Sequence, residues 1–326
     1  MEGAAAGGRN ESGDEVMSEI HLGCPPHFSG PYITQFTFSL PTDDDSRAAR
    51  VLDLDDDGDL VLVRRNVTSS VCKLTFQHRI MSSVPNVGLQ VWMAALVLSD
   101  YIIHRSFVSS DFDGVTAIEL GAGTGLTGVV LARVAKTIFL TDYGNEILEN
   151  CAKNVDINIS LLGLNVNTIL VRELNWKDSW PPHNDLFQCS RYSWSTSEVG
   201  EAEGATVIIA ADVIYSDKLT DSFFCVLEKL MSRGSRKVLY LALEKRYNFS
   251  LDDLDVVANG YERFKSFLKT PEECSKLGNL SLPCFMGEQI NLLEIPQYIR
   301  EYERGKDVEL WRIQYCTRIS DVHAEK

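Results

Sequence analysis

Between Ala117 and Val130 the chain reads AIELGAGTGLTGVV: a short apolar run, a turn of alternating glycines, then an apolar stretch with helical spacing. A strand that feeds a helix through such a turn commits a chain to right-handed β–α–β units and so to a parallel sheet. The rest of the sequence keeps that rhythm. TIFLTD, NTILVREL, ATVIIAADVIY and KVLYLAL read as strands. GNEILENCAKNVDINIS, DKLTDSFFCVLEKLM and LDDLDVVANGYERFKSFL read as helices. Two of the strands, ATVIIAADVIY and KVLYLAL, are apolar without alternation, as expected of strands covered on both faces. QINLLEI and VELWRIQYC close the chain with no helix between them and are expected to pair antiparallel. Upstream, LQVWMAALVLSDYIIHR carries apolar residues at Val91, Ala95, Leu98 and Ile102, the spacing of one more helix.

The expected architecture is α/β and Rossmann-like: a seven-stranded, mostly parallel sheet with an antiparallel last hairpin and helices on both faces. A small β-rich N-terminal element precedes it. We divide the 326 residues into a disordered acidic leader (1–30), the β-rich element (31–84), the main domain (85–318) and a tail (319–326). Residues 177–204 are polar and turn-rich and read as a long inserted loop, either functional or disordered.

Charge and cysteine usage narrow the function classes. The formal net charge is −15, and residues 1–60 hold thirteen acids against three bases. Clustered Lys and Arg, which a nucleic-acid surface needs, are missing, so no direct nucleic-acid partner is expected. A basic docking surface on a protein partner fits better. No apolar run is long enough to span a bilayer, and no membrane partner is expected. Eight cysteines lie scattered without C-x-x-C spacing, which reads as reduced thiols and no metal site. Asp53, Asp55, Asp57 and Gly58 match the opening of a calcium loop. Arg64 stands where that loop needs its bidentate glutamate, so a hairpin turn is the preferred reading.

The glycine turn admits two cofactors. Gly123, Gly125 and Gly128 spell the dinucleotide fingerprint, whereas Gly121, Gly123 and Gly125 follow Glu119 in a different pattern. A carboxylate at the strand end repels a pyrophosphate. It suits S-adenosylmethionine, which carries an ammonium and a sulfonium and no phosphate. The competing reading of Glu119 is an outward strand residue. Asp142, ending the second strand, is placed to accept ribose hydroxyls, with a helix cap as the alternative. Asp212 and Tyr215, in AADVIYSD, fall at the carboxyl edge of a buried strand beside the glycine turn. There they could orient an acceptor amine. The alternatives are a cap for the following helix and a core tyrosine.

In this order, ELGAGTGLTG, TD, ELNW and DVIY resemble the seven-β-strand S-adenosylmethionine-dependent protein-lysine methyltransferases, whose [D/E]-x-x-Y motif matches Asp212–Tyr215. The resemblance covers roughly residues 50–318. It implies transfer of methyl to a lysine ε-amine of a protein substrate. It further implies that Trp92 approaches the methionine end of the cofactor and that Gly121, Ala122 and Gly123 line its methionine and ribose parts. Asp142 would hold the ribose, Trp176 would lie against adenine and Ala211 would border the same pocket. Gly125 completes the turn and is expected at the cofactor as well. Asp212 and Tyr215 would face the acceptor. Read without the resemblance, Trp92 and Trp176 are core aromatics. Location in nucleus and cytoplasm is expected, the nuclear part from the resemblance, with only SRGSRK near Arg233 to support import. Two alternatives stay open: a non-catalytic, chaperone-associated module that binds the cofactor, and a methyltransferase for small molecules or nucleic acid.

Overall fold

The structure is a computed structural model that describes residues 15–18, 20, 30–40, 70–165, 168–182, 190–250, 255–276 and 283–317. The acidic stretch around Asp53–Gly58 and most of the leader lie outside these residues, but Glu15–Met17, expected within a disordered leader, form a strand paired with Met81–Ser83.

The strands are β1 (Glu15–Met17), β2 (Tyr32–Leu40), β3 (Ser70–His78), β4 (Met81–Ser83), β5 (Thr116–Leu120), β6 (Thr137–Asp142), β7 (Ile169–Glu173), β8 (Val207–Ala211) and β9 (Val238–Glu244). They continue with β10 (Asn248–Ser250), β11 (Asp255–Val257), β12 (Leu268–Lys269), β13 (Cys284–Ile290) and β14 (Val308–Cys316). The helices are α1 (Met93–Val108), α2 (Leu126–Leu131), α3 (Asn145–Leu162), α4 (Thr196–Glu203), α5 (Asp217–Met231), α6 (Asn259–Phe267) and α7 (Pro271–Lys276).

The main sheet runs β12-β13-β14-β9-β8-β5-β6-β7. Strands β5 to β9 are parallel, and β14 is antiparallel to both β9 and β13. Seven strands are those of the expected architecture, and the eighth is the two-residue edge strand β12. Chain direction across the sheet reverses between β5 and β8, so a crevice opens at their carboxyl ends. Each parallel strand feeds two cores. On β6, Ile138 and Leu140 pack with α1, α2 and α3, while Phe139 turns to the opposite layer with α5 and the tryptophans of the insertion. This two-sided burial explains the unbroken apolar runs.

Three boundaries differ from expectation. The penultimate strand is CFMGEQI rather than QINLLEI, because Asn291 caps a 3-10 turn over Leu292–Glu294. The segment expected as one helix over 251–268 contains β11 before α6 begins at Asn259. The insertion is no loose loop in its described part. Trp180 and Trp194 are buried, Trp194 stacks on Phe139 at 5.1 Å, and a capping box on Ser195 starts α4. Arg172 pairs with Glu198 and ties that helix to β7.

The N-terminal hairpin of β2 and β3 shares the main core: Phe36, Phe38, Leu74 and Phe76 pack with residues of α1 and α2. Beside it, α3 offers Asn150, Asn154 and Asn158, one per turn on one face. Asn154 accepts the Gln77 amide at 2.7 Å and donates to the Gln77 carbonyl at 2.9 Å. Asn158 does the same for Thr75 at 2.9 and 2.8 Å. Side-chain amides thus occupy the outer edge of β3 where another strand would pair, which removes an exposed edge. Asn154 also donates to the Thr124 carbonyl in the glycine turn at 3.0 Å.

One member of the basic run near Arg233 is withdrawn from the surface. Lys237 is buried, its Nζ donating to the carbonyls of Glu203, Arg233 and Ser235, and burial lowers its pKa to about 8.

Candidate active site

The crevice is a cavity of about 370 Å³, of a size that takes a small cofactor. Its wall includes Trp92, Glu119, Gly121, Ala122, Gly123, Asp142, Trp176, Ala211, Asp212 and Tyr215. The chain therefore brings together all the expected site residues except Gly125. That residue stands behind the turn, where an added Cβ would meet the Cys151 sulfur at 2.9 Å. It sets the turn into α2 with φ +80 and is not a wall of the cavity.

Gly121 has φ +72, and a Cβ there would lie 2.7 Å from Val213 and 3.3 Å from the Trp176 ring. The turn can press this closely on the floor only without a side chain. Asp142 reaches back to brace the turn: its two carboxyl oxygens accept the amides of Gly123 and Tyr143, each at 2.7 Å. It does not cap α3, whose N-cap is Gly144. Burial raises the Asp142 pKa to about 6, opposed by the two amides. At neutral pH it is mostly ionised, and each oxygen keeps a lone pair for a hydroxyl donor.

Glu119 lies deeper. It is 2% exposed, and Oε2 has no hydrogen-bond partner among the described residues. Burial, reinforced by Asp142, raises its pKa to about 8 against the pull of Gly128 and Thr127. Burial therefore favours the neutral carboxyl, while a cation bound beside it would favour the charged form expected from the sequence.

The rest of the lining is aromatic and acidic. The Trp92 indole donates to the Val87 carbonyl at 3.0 Å and stands half-buried over the cavity. Trp176 meets Phe223 edge-on at 5.3 Å. Asp212 follows β8 with φ +57, the left-handed region, at a cost of about 1–3 kcal/mol. Its amide donates to Ala242 at 2.9 Å. It does not cap α5, which starts from Ser216. Its carboxylate pairs with Arg246. Tyr215 is 42% exposed at the cavity rim, and burial of its hydroxyl with the nearby Asp142 and Asp212 raises its pKa.

Sequence reasoning missed one wall. The 3-10 turn Val84–Leu89 contributes Val84, Pro85, Val87 and Gly88, and the Gly88 carbonyl would sit 2.9 Å from a Cβ on Gly123. Its signal was Pro85 and Gly88 just ahead of α1. Asn175 and Tyr143 also line the cavity.

The residues fit S-adenosylmethionine. Among the described residues, the deep wall holds an unpartnered carboxyl atom, Asp142 carries no paired cation, and the flat faces are indoles. No basic side chain other than Lys177 lines the cavity among the described residues, which suits a cationic cofactor better than a pyrophosphate.

Comparison with known proteins agrees. A family model described as lysine methyltransferase matches residues 73–259. The chain is 32% identical to methyltransferase-like protein 22 of Mus musculus, over 94% of this chain and 84% of that protein. It is 32% identical to the Homo sapiens protein of the same name, over 89% and 78%. It is 28% identical to the human protein-lysine N-methyltransferase EEF2KMT, over 45% of this chain and 42% of that one. With that match laid over a cavity that fits a cationic adenosine derivative, the chain belongs to the lysine methyltransferase family and is an S-adenosylmethionine-dependent protein-lysine methyltransferase.

Proposed function

We propose that the acceptor lysine enters past Tyr215, beside Asp212 and Trp92, on a substrate protein that docks through a basic surface. The observation that carries this reading is the position of Tyr215: half exposed at the rim, yet part of the same wall as Asp212. S-adenosylmethionine supplies an electrophilic methyl group. The protein's own task is to hold the acceptor in line and to let it lose a proton. A free lysine has a pKa near 10.4, so its neutral form costs roughly 4–5 kcal/mol at pH 7. Trp92 and Tyr215 present flat apolar faces that exclude water from the amine. Asp212 serves capture and aim, and the proton leaves to solvent. Alignment is expected to supply most of the rate.

Purified protein with methyl-labelled S-adenosylmethionine, added to extract from cells lacking it, tests this reading beside an Asp212→Ala control. Label in one or a few protein bands, lost in the control, supports it. Label in nucleic acid or small molecules alone overturns it. Cofactor binding without any label would favour the cofactor-binding module instead.

The acidic N-terminal sixty residues motivate the basic partner surface. We also propose nuclear and cytoplasmic residence, on the family resemblance alone. Exclusion of the full-length protein from nuclei would refute the nuclear part.

A further inference from the structure

Asp212 is the residue that faces the acceptor in the reading above, and its carboxylate is already held. The guanidinium of Arg246 pairs with Oδ2 and stacks over the Trp92 ring with 4.6 Å from its central carbon to the ring centroid. The Glu244 amide approaches Oδ1 at 3.4 Å. Asp212, Trp92 and Tyr215 all line the cavity, whereas Arg246 stands outside that wall. It holds the carboxylate and the indole together at the edge of the cavity. Only a planar cation with in-plane donors can stack on an indole and bond a carboxylate at once.

The charges in this corner can be counted. Glu244 lies 3.9 Å from Arg246, and the Tyr215 hydroxyl lies within the field of both Asp212 and Arg246. Asp142 adds its field from across the cavity. Lys245 is paired with Glu309 at 2.6 Å and contributes little net charge. Removing Arg246 takes one positive charge from beside Asp212 and Glu244.

A carboxylate beside an amine holds that amine as ammonium, which cannot accept a methyl group. We propose that Arg246 is a positioning residue for methyl transfer: it fixes Asp212 and Trp92 and offsets the Asp212 charge, so that the incoming lysine loses its proton more readily. This rests on the functional reading above.

The test follows the initial rate of label transfer into the principal protein band of the deficient extract, across pH 6–10, with saturating S-adenosylmethionine. Wild-type labelling, scored first, tests the functional reading alone. Displacement of the acid limb between variants tests Arg246. Arg246→Gln is expected to move that limb up by about one pH unit, a tenfold loss at pH 7 that recovers at high pH. Arg246→Lys keeps the charge and should leave the limb in place while lowering the plateau. Asp212→Asn combined with Arg246→Gln restores the net charge and should return the limb to the wild-type pH. A limb that stays put in Arg246→Gln would overturn the proposal, as would a rise in activity at pH 7, which would make Arg246 a latch. A second readout needs no acceptor. In 13C spectra of full-length protein, the Asp212 carboxyl should titrate at higher pH in Arg246→Gln than in wild type. An unchanged titration would also overturn the proposal.

Discussion

Asp142 and Asp212 stand at the same edge of one sheet, at the ends of β6 and β8, and they are satisfied in opposite ways. Asp142 takes two backbone amides, and no cation pairs with it among the described residues. Asp212 takes a guanidinium beside one distant backbone amide. The difference follows the chemistry each side must meet. On the proposed reading, the Asp142 side receives a cofactor whose own charge is positive, and a resident cation there would compete with it. On the same reading the Asp212 side receives a lysine that must arrive as a cation and react as a neutral amine, so a bare carboxylate there would trap it. One acid is left open for the ligand, and the other is moderated before the ligand comes.

Several variants would break or sharpen this contrast. The largest effect is expected from Gly121→Val, which forces a branched side chain into Val213 and Trp176 at positive φ. Cofactor binding by calorimetry should fall by roughly a hundredfold or more, since the turn must move. Next, Asp212→Asn should cut methyl transfer by roughly ten- to a hundredfold while the cofactor Kd stays within about threefold, because the two sides are separate. Full activity in that variant would dissolve the contrast. Asp142→Asn should do the reverse and weaken cofactor binding by roughly 10- to 100-fold, the worth of a charged hydrogen bond of ~1.5–3 kcal/mol.

A smaller effect concerns pH. Glu119, with its pKa raised to about 8, and Asp142, raised to about 6, both favour their protonated forms in the fold. Their contribution to stability is fully present below the unfolded values near 4.5 and 3.8. It is lost as pH rises through 8 and 6, at ~1.4 kcal/mol per unit. Cofactor-free protein should therefore melt lower at pH 8 than at pH 5, and Glu119→Gln should flatten the upper part of that slope. An unchanged slope in calorimetric melts would show that Glu119 ionises freely. The smallest expected effect is on docking: affinity for the substrate protein should drop by roughly threefold or more between 50 and 300 mM salt.

The sheet was legible because its signals are local. A glycine turn after an apolar run, repeated strand–helix alternation and unalternating strands all report on neighbours in sequence. The cofactor side was legible for the same reason, since Glu119, Gly121 and Gly123 fall within five residues. The acceptor side was only half legible. Asp212 and Tyr215 stand out at a strand end, but Arg246 lies 34 residues beyond Asp212, and nothing in EKRY says which acid it will meet. Burial was equally hidden. The raised pKa of Glu119 depends on how closely α2 presses on β5, which is a property of packing and not of spacing. The insertion misled because its polar composition masks Trp180 and Trp194, the two anchors that fold it down.

The carboxamide of Asn154 has one further consequence. It bonds the backbone of Gln77 in the hairpin and the carbonyl of Thr124 in the glycine turn together. Whatever stills the turn also stills β3, some distance from the ligand. Amide exchange at Thr75 and Gln77 should thus slow when cofactor is added, and Asn154→Ala should abolish that slowing. The hairpin then acts as a remote gauge of occupancy, one that needs no substrate to be read.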